Sequence, residues 1–146
     1  MRINYRIFLV YFFALFFDCI YLFGQQHQTS YSKLTSLRIG DKLPDLRVEN
    51  IHNYPSNSER LSAFRGKLVI FDFWYGTCAG CIEGFSKLES LQKKFGEKIQ
   101  IIMVNYESQQ TVDKAFKAYR RISYIYRNPR LPSITSDSVL HKLFRF

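Results

Sequence analysis

The stretch that most constrains the fold of this chain runs from Lys67 to Val104. KLVIFDFW, residues 67–74, is an almost unbroken run of β-branched and aromatic residues, the pattern of a strand covered on both faces. Such a strand is expected at the centre of a sheet. YGTCAGC follows directly, and then Ile82, Phe85, Leu88, Leu91 and Phe95 recur at helical spacing until Lys93, Lys94 and Gly96 supply a stop. IQIIMV, residues 99–104, reads as a second buried strand. A strand, a helix and a strand in this order form a βαβ unit with a right-handed crossover, so the chain belongs to the α/β class.

The flanking segments fit around that unit. Leu43 to Asn50 alternates weakly and is expected as a peripheral strand, and Tyr54 to Glu59, with Pro55 and three small polar residues, as a turn or loop. Ser108 can cap a further helix in which Val112, Ala115, Phe116 and Tyr119 share a face. Asn128 to Pro132 reads as a loop, and Asp137 can cap a short last helix that turns Val139, Leu140, Leu143 and Phe144 inward.

The first 24 residues are different in kind. Arg2 and Arg6 precede an apolar run from Ile7 to Phe23, the make-up of a signal peptide or membrane anchor. Asp18 inside the run penalises a spanning helix and favours a short signal core. Cys19 lacks the small residues that lipid attachment prefers before it and reads as apolar filler. Residues 25–38 are polar and aperiodic, a linker, which leaves 39–146 for one domain. The net charge of +9 is scattered, a solvated surface and not a nucleic-acid track. Export would place the remaining cysteines, Cys78 and Cys81, where disulfides form and persist.

Cys78 falls at the strand-to-helix junction and Cys81 one turn later on the same face, close enough to bridge. Unpaired N–H groups and the positive end of the helix dipole stabilise a thiolate at the first cysteine. A second thiol nearby is what exchange needs to resolve a mixed disulfide. A static structural disulfide is the next reading. Zinc comes last, because no second CxxC exists and His27, His52 and His141 lack paired spacing.

IGDKLPDL, LSAFRGKLVIFDFW, the CAGC pair with its helix, and SITSDSVLHKLFRF together resemble the exported thioredoxin-like disulfide oxidoreductases of the TlpA and ResA type, which overlap with the redoxins. The resemblance implies a thioredoxin-like fold carrying an N-terminal extension, with Cys78 as attacking and Cys81 as resolving cysteine. It also implies that Asp72, six residues before Cys78, sits where thioredoxins carry a buried acid that accepts a proton from the resolving thiol. The reading of Asp72 as a strand acid facing a polar edge stands level with that one. Trp74 and Tyr75 read as packing around the site, and Glu83 as a solvated residue of the helix's first turn. Thr77 replaces the aromatic residue usual before the first cysteine, Ala79-Gly80 contains no proline, and Ser86 stands where a kinking proline is frequent. The family continues with a β-hairpin that begins at a cis-proline, and with a final helix. Pro129 and Pro132 precede the last helix of this chain and do not match that proline, so the C-terminal hairpin and last helix are expected to be lacking.

The function expected is that of an extracytoplasmic thiol:disulfide oxidoreductase of the bacterial cell envelope or periplasm, acting on protein disulfide or thiol substrates. By resemblance it is a reductase fed by a membrane electron-donor protein, without cofactor or metal, and membrane-bound through its N-terminal segment if uncleaved. The alternative is a truncated module without turnover, a binding or structural remnant. A peroxidase is disfavoured because the Pro-x-x-x-Thr-x-x-Cys spacing is absent before Cys78.

Overall fold

The computed structural model describes residues 36–123 and 127–144. The export segment and most of the linker lie outside them. Among the described residues no helix is long and apolar enough to cross a membrane. Leu37, within the linker as read from sequence, donates its N–H to Leu143 O at 2.8 Å.

Among the described residues, six strands and three α-helices follow in chain order: β1 (Arg47–Glu49), β2 (Ile51–His52), β3 (Ser58–Arg60), β4 (Leu68–Phe73), α1 (Ala79–Phe95), β5 (Ile99–Val104), α2 (Gln109–Ile122), β6 (Ser133–Ile134) and α3 (Leu140–Leu143). β1 and β3 form a separate antiparallel ribbon. The segment expected as a loop up to Glu59 therefore ends in a strand. Its three residues, Ser, Glu and Arg, are too polar and too few to show a period, and β1 supplies the pairing that makes them extended. The main sheet has the order β2-β6-β5-β4. β4, β5 and β6 are parallel neighbours and β2 runs antiparallel to β6, so β4-α1-β5 is the expected βαβ unit.

The expectation that the strand of Lys67 to Trp74 lies centrally is corrected. β4 is at the sheet edge among the described residues, and β5 lies inside, between β4 and β6. A continuous apolar run reports coverage of both faces, not hydrogen bonding on both sides. β4 has the first without the second. On one face Ile70 and Trp74 join the core of Ile82, Phe85, Ile101, Met103, Val112 and Phe116 beneath α1 and α2. On the other, Phe71 and Phe73 meet the Phe144 ring at 5.7 and 5.8 Å, and Leu140 and Leu143 of α3 are buried. Burying a side chain such as Ile82 or Phe85 contributes about 1.5–3 kcal/mol.

The helix boundaries follow local chemistry. Gly96 ends α1 at φ 52°, a backbone conformation that costs an L side chain energy and glycine little. Phe95, expected on the inner face, is exposed, because the helix ends there with nothing packed over its last turn. Ser108 caps α2 by accepting the N–H of Thr111 at 3.3 Å. The Asp137 carboxylate accepts the N–H groups of Val139, Leu140 and His141, which satisfies donors that a helix start otherwise leaves unpaired.

Candidate functional site

β4 and β5 both end on the side of the sheet where the chain turns back as α1, the edge at which parallel α/β sheets place their chemistry. Tyr75 to Cys78 is a tight turn closed by the N–H of Cys78 on Tyr75 O at 2.9 Å. Cys78 is the N-cap of α1, with φ −82° and ψ 89°. Its Sγ accepts the N–H of Cys81 at 3.2 Å, and its carbonyl accepts the N–H of Ile82 at 3.1 Å. The two cysteines form a disulfide with their Cα atoms 5.3 Å apart.

The two sulfurs occupy different surroundings. Cys78 is half-buried at the helix start, flanked by exposed Thr77, Ala79 and Gly80. Cys81 packs against the core cluster. No acidic residue lies in the first turn of α1, so nothing there opposes the field of the unpaired N–H groups at a Cys78 thiolate. Glu83, assigned to that turn from sequence, lies one turn further on and is exposed.

Asp72 shares the face of Ile70 and Trp74, since side chains alternate along a strand. It is half-buried, and its register partner is Met103 of the core. Ile70 and Trp74 of that face pack with Cys81 in the core cluster. Burial holds its carboxyl above the ordinary value of 3.8, the direction that makes a carboxylate a better proton acceptor near neutrality. Trp74 is 1% exposed. Its indole stacks on Phe116 at 5.3 Å and 10°, and meets Phe85 edge-on at 5.0 Å. Its role is packing beneath the turn, and its Nε1 is buried with no hydrogen-bond partner.

The two described histidines are engaged elsewhere, and His27 lies outside the described residues. His52 Nε2 lies 3.1 Å from Thr135 Oγ1, and His141 Nδ1 lies 2.7 Å from Asp137 Oδ2. Among the described residues no group of three or more His, Cys, Asp or Glu side chains is arranged to hold a metal ion. Pro132 leads into β6, where its carbonyl accepts the N–H of Met103 at 2.9 Å, and no peptide bond among the described residues is cis.

Three residues at the site were not singled out from sequence. Gly76 is buried and donates its N–H to Glu107 Oε2 at 2.6 Å. Asn105, fully buried at the end of β5, donates from Nδ2 to the same oxygen at 3.2 Å. Position 76 is tight, since a Cβ there would stand 3.0 Å from Ala115 Cβ and 3.2 Å from Glu107 Oε2, and a neighbour would have to give by a few tenths of an ångström. The one sequence signal for this group is an Asn-x-Glu directly after the buried strand of residues 99–104.

A strand, a disulfide-bonded CxxC at a helix N-cap, and a parallel second strand are thus in hand. The profile of the AhpC/TSA family matches residues 39–132. The chain belongs to this family. Its CxxC pair is Cys78 and Cys81. It is 27% identical over 93 residues to the thioredoxin-like protein YneN of Bacillus subtilis (strain 168), an alignment covering 64% of this chain and 53% of the relative. Among solved structures, a protein described as the thiol:disulfide interchange protein DsbE from Chlorobium tepidum superposes with a TM-score of 0.50 at 24% identity, over 68% of this chain and 64% of that one. The thioredoxin domain of a thiol-disulfide oxidoreductase from Bacteroides vulgatus gives a TM-score of 0.50 at 22% identity, over 73% and 71%. These likenesses show the thioredoxin-like fold. The chain spans about half the length of the YneN relative.

Proposed function

We propose that this AhpC/TSA-family protein is an extracytoplasmic thiol:disulfide oxidoreductase that works in the reducing direction. The observation that carries the reading is the placement of Cys78 as N-cap of α1, bonded to Cys81, with its Sγ accepting a helix N–H. In the reduced protein the Cys78 thiolate attacks one sulfur of a substrate protein's disulfide, forming a mixed disulfide and releasing the other substrate sulfur as a thiolate. Cys81 then attacks Cys78 Sγ, its proton passing to Asp72, and the second substrate thiolate leaves. Two electrons have moved to the substrate, and the protein ends with the Cys78–Cys81 bond. A membrane electron donor restores the dithiol by the reverse exchange. The burial of Asp72 on the Cys81 face supports its part in this scheme. The apolar run behind Arg2 and Arg6 supports export.

A second reading, a module that keeps the pair without turnover, draws on the outer edge of β4, beside which no strand lies among the described residues. One set of measurements separates the two. Alkylation of the reduced protein at mildly acidic pH should label Cys78 before Cys81, and Cys81→Ser should accumulate mixed disulfides with an insulin substrate while wild type reduces insulin catalytically. Equal labelling of both cysteines with no trapped adduct would refute the oxidoreductase reading. Trapped adducts without insulin turnover would leave the non-turnover module.

A further inference from the structure

Glu107 lies 29 residues beyond Cys78 in the chain, past β5, yet its carboxylate holds the turn that presents Cys78. Gly76, whose N–H it accepts at 2.6 Å, is the second residue of the turn that the Cys78 N–H closes on Tyr75 O. The fourth residue of that turn is Cys78 itself. The grip is therefore on the backbone two residues before the sulfur that caps α1.

The gripping group is itself immobilised. Asn105 Oδ1 accepts the N–H of Glu107 at 2.6 Å, and Asn105 Nδ2 donates to Glu107 Oε2. Asn105 is fixed in turn, since its N–H donates to Ile134 O at 2.9 Å and its carbonyl accepts the N–H of Asp137 at 3.0 Å. The N–H of Ser136 donates to Glu107 O at 2.8 Å. The ends of β5 and β6 thus form a rigid bracket with the carboxylate at its tip. There is little slack at the contact, because a single methyl at Gly76 would meet Ala115 Cβ at 3.0 Å.

We propose that Glu107, braced by Asn105, is a positioning residue that holds the Tyr75–Cys78 turn so that the Cys78 sulfur stays on the helix N–H groups and reacts as a thiolate. This rests on the oxidoreductase reading above. It acts through reach and not through charge: a carboxylate near a thiolate opposes it, whereas a fixed turn keeps Cys78 at the non-helical φ and ψ that aim Sγ at the Cys81 N–H.

Two mild substitutions separate reach from charge. Glu107→Gln keeps the length and an acceptor oxygen but removes the charge. Glu107→Asp keeps the charge but withdraws it by one methylene. With the full chain reduced, the pH midpoint of Cys78 alkylation is read by mass spectrometry, and each variant's thermal melt is recorded alongside. Glu107→Asp should raise the midpoint by about one pH unit, about tenfold less thiolate below it, while Glu107→Gln stays within about 0.3 unit of wild type. Gly76→Ala, which crowds the turn against Ala115 and the Glu107 carboxylate while keeping that side chain's length and charge, should shift the midpoint in the same direction as Glu107→Asp and serves if that variant melts early. A Glu107→Gln midpoint that moves as far as that of Glu107→Asp, or Gly76→Ala and Glu107→Asp midpoints that do not move, would overturn the proposal. A wild-type Cys78 that titrates like a free thiol near pH 8.5 would instead overturn the oxidoreductase reading on which it rests.

Discussion

Trp74 offers a test in which two effects of similar size oppose each other. The indole is 1% exposed, stacked on Phe116 and edge-on to Phe85, with Nε1 buried and unpaired. Trp74→Phe keeps one six-membered ring in the cluster and removes the unpaired donor. Relief of that donor is worth about 1–3 kcal/mol. Against it, the smaller ring leaves about 40 Å³ unfilled, which at about 24 cal/mol per Å³ costs about 1 kcal/mol, and the lost transfer free energy adds less than about 1 more. The two nearly cancel, and Trp74→Phe should fall within about 1 kcal/mol of wild type. Trp74→Ala has no such compensation. It forfeits both ring contacts and opens a large cavity, and should lose about 3–5 kcal/mol. The assay is urea unfolding at pH 7 with the disulfide intact, compared at equal slope. A loss above about 2 kcal/mol for Trp74→Phe would show that the indole N–H has a partner and that the orphaned-donor argument is wrong.

Asp72 gives a pH signature whose sign follows from its burial. Its folded-state pKa is raised above the ordinary 3.8, so its contribution to stability is fully present below pH 3.8 and is lost as pH rises through the folded value. Asp72→Asn should therefore gain stability relative to wild type across that window, a gain absent at lower pH, while slowing release of mixed disulfides at neutral pH. A stability difference that is flat with pH would remove the buried-acid reading. Residues 1–30 fused to a reporter active only outside the cytoplasm should give signal, and a silent fusion would withdraw the export step of the proposed function.

The parts of this fold that were legible in the sequence are those written in contiguous residues. The strand of residues 67–74, the helical spacing from Ile82 onward, the Gly96 stop and the Ser108 and Asp137 caps each carry their physics locally. So does the cysteine pair, because a sulfur at a strand-to-helix junction inherits its environment from backbone geometry. The edge position of β4 was not legible, since Val69, Ile70 and Phe71 report which faces are covered and say nothing of which strands sit alongside. The facing of Asp72 emerged only when Ile70 and Trp74 were seen beneath α1. The Asn105 and Glu107 bracket is the extreme case. It joins side chains to backbone across 31 residues, from Gly76 to Glu107, and no periodicity records such a bond.

The outer edge of β4, beside which no strand lies among the described residues, has a thermodynamic consequence for the site. Trp74 donates its N–H to Val104 O, so by the alternation of a strand the N–H and C=O groups of Val69 and Phe71 point away from β5. No proline, lysine or arginine within the strand blunts that row. Phe71, the last residue of the row, is only seven residues before Cys78. A segment that hydrogen-bonds along β4 is therefore delivered to the sulfur by the same contacts, and occupancy of the edge and reactivity of Cys78 become linked equilibria. By reciprocity, whatever factor the redox state of the pair imposes on affinity for the edge, a bound segment must impose on the equilibrium between dithiol and disulfide.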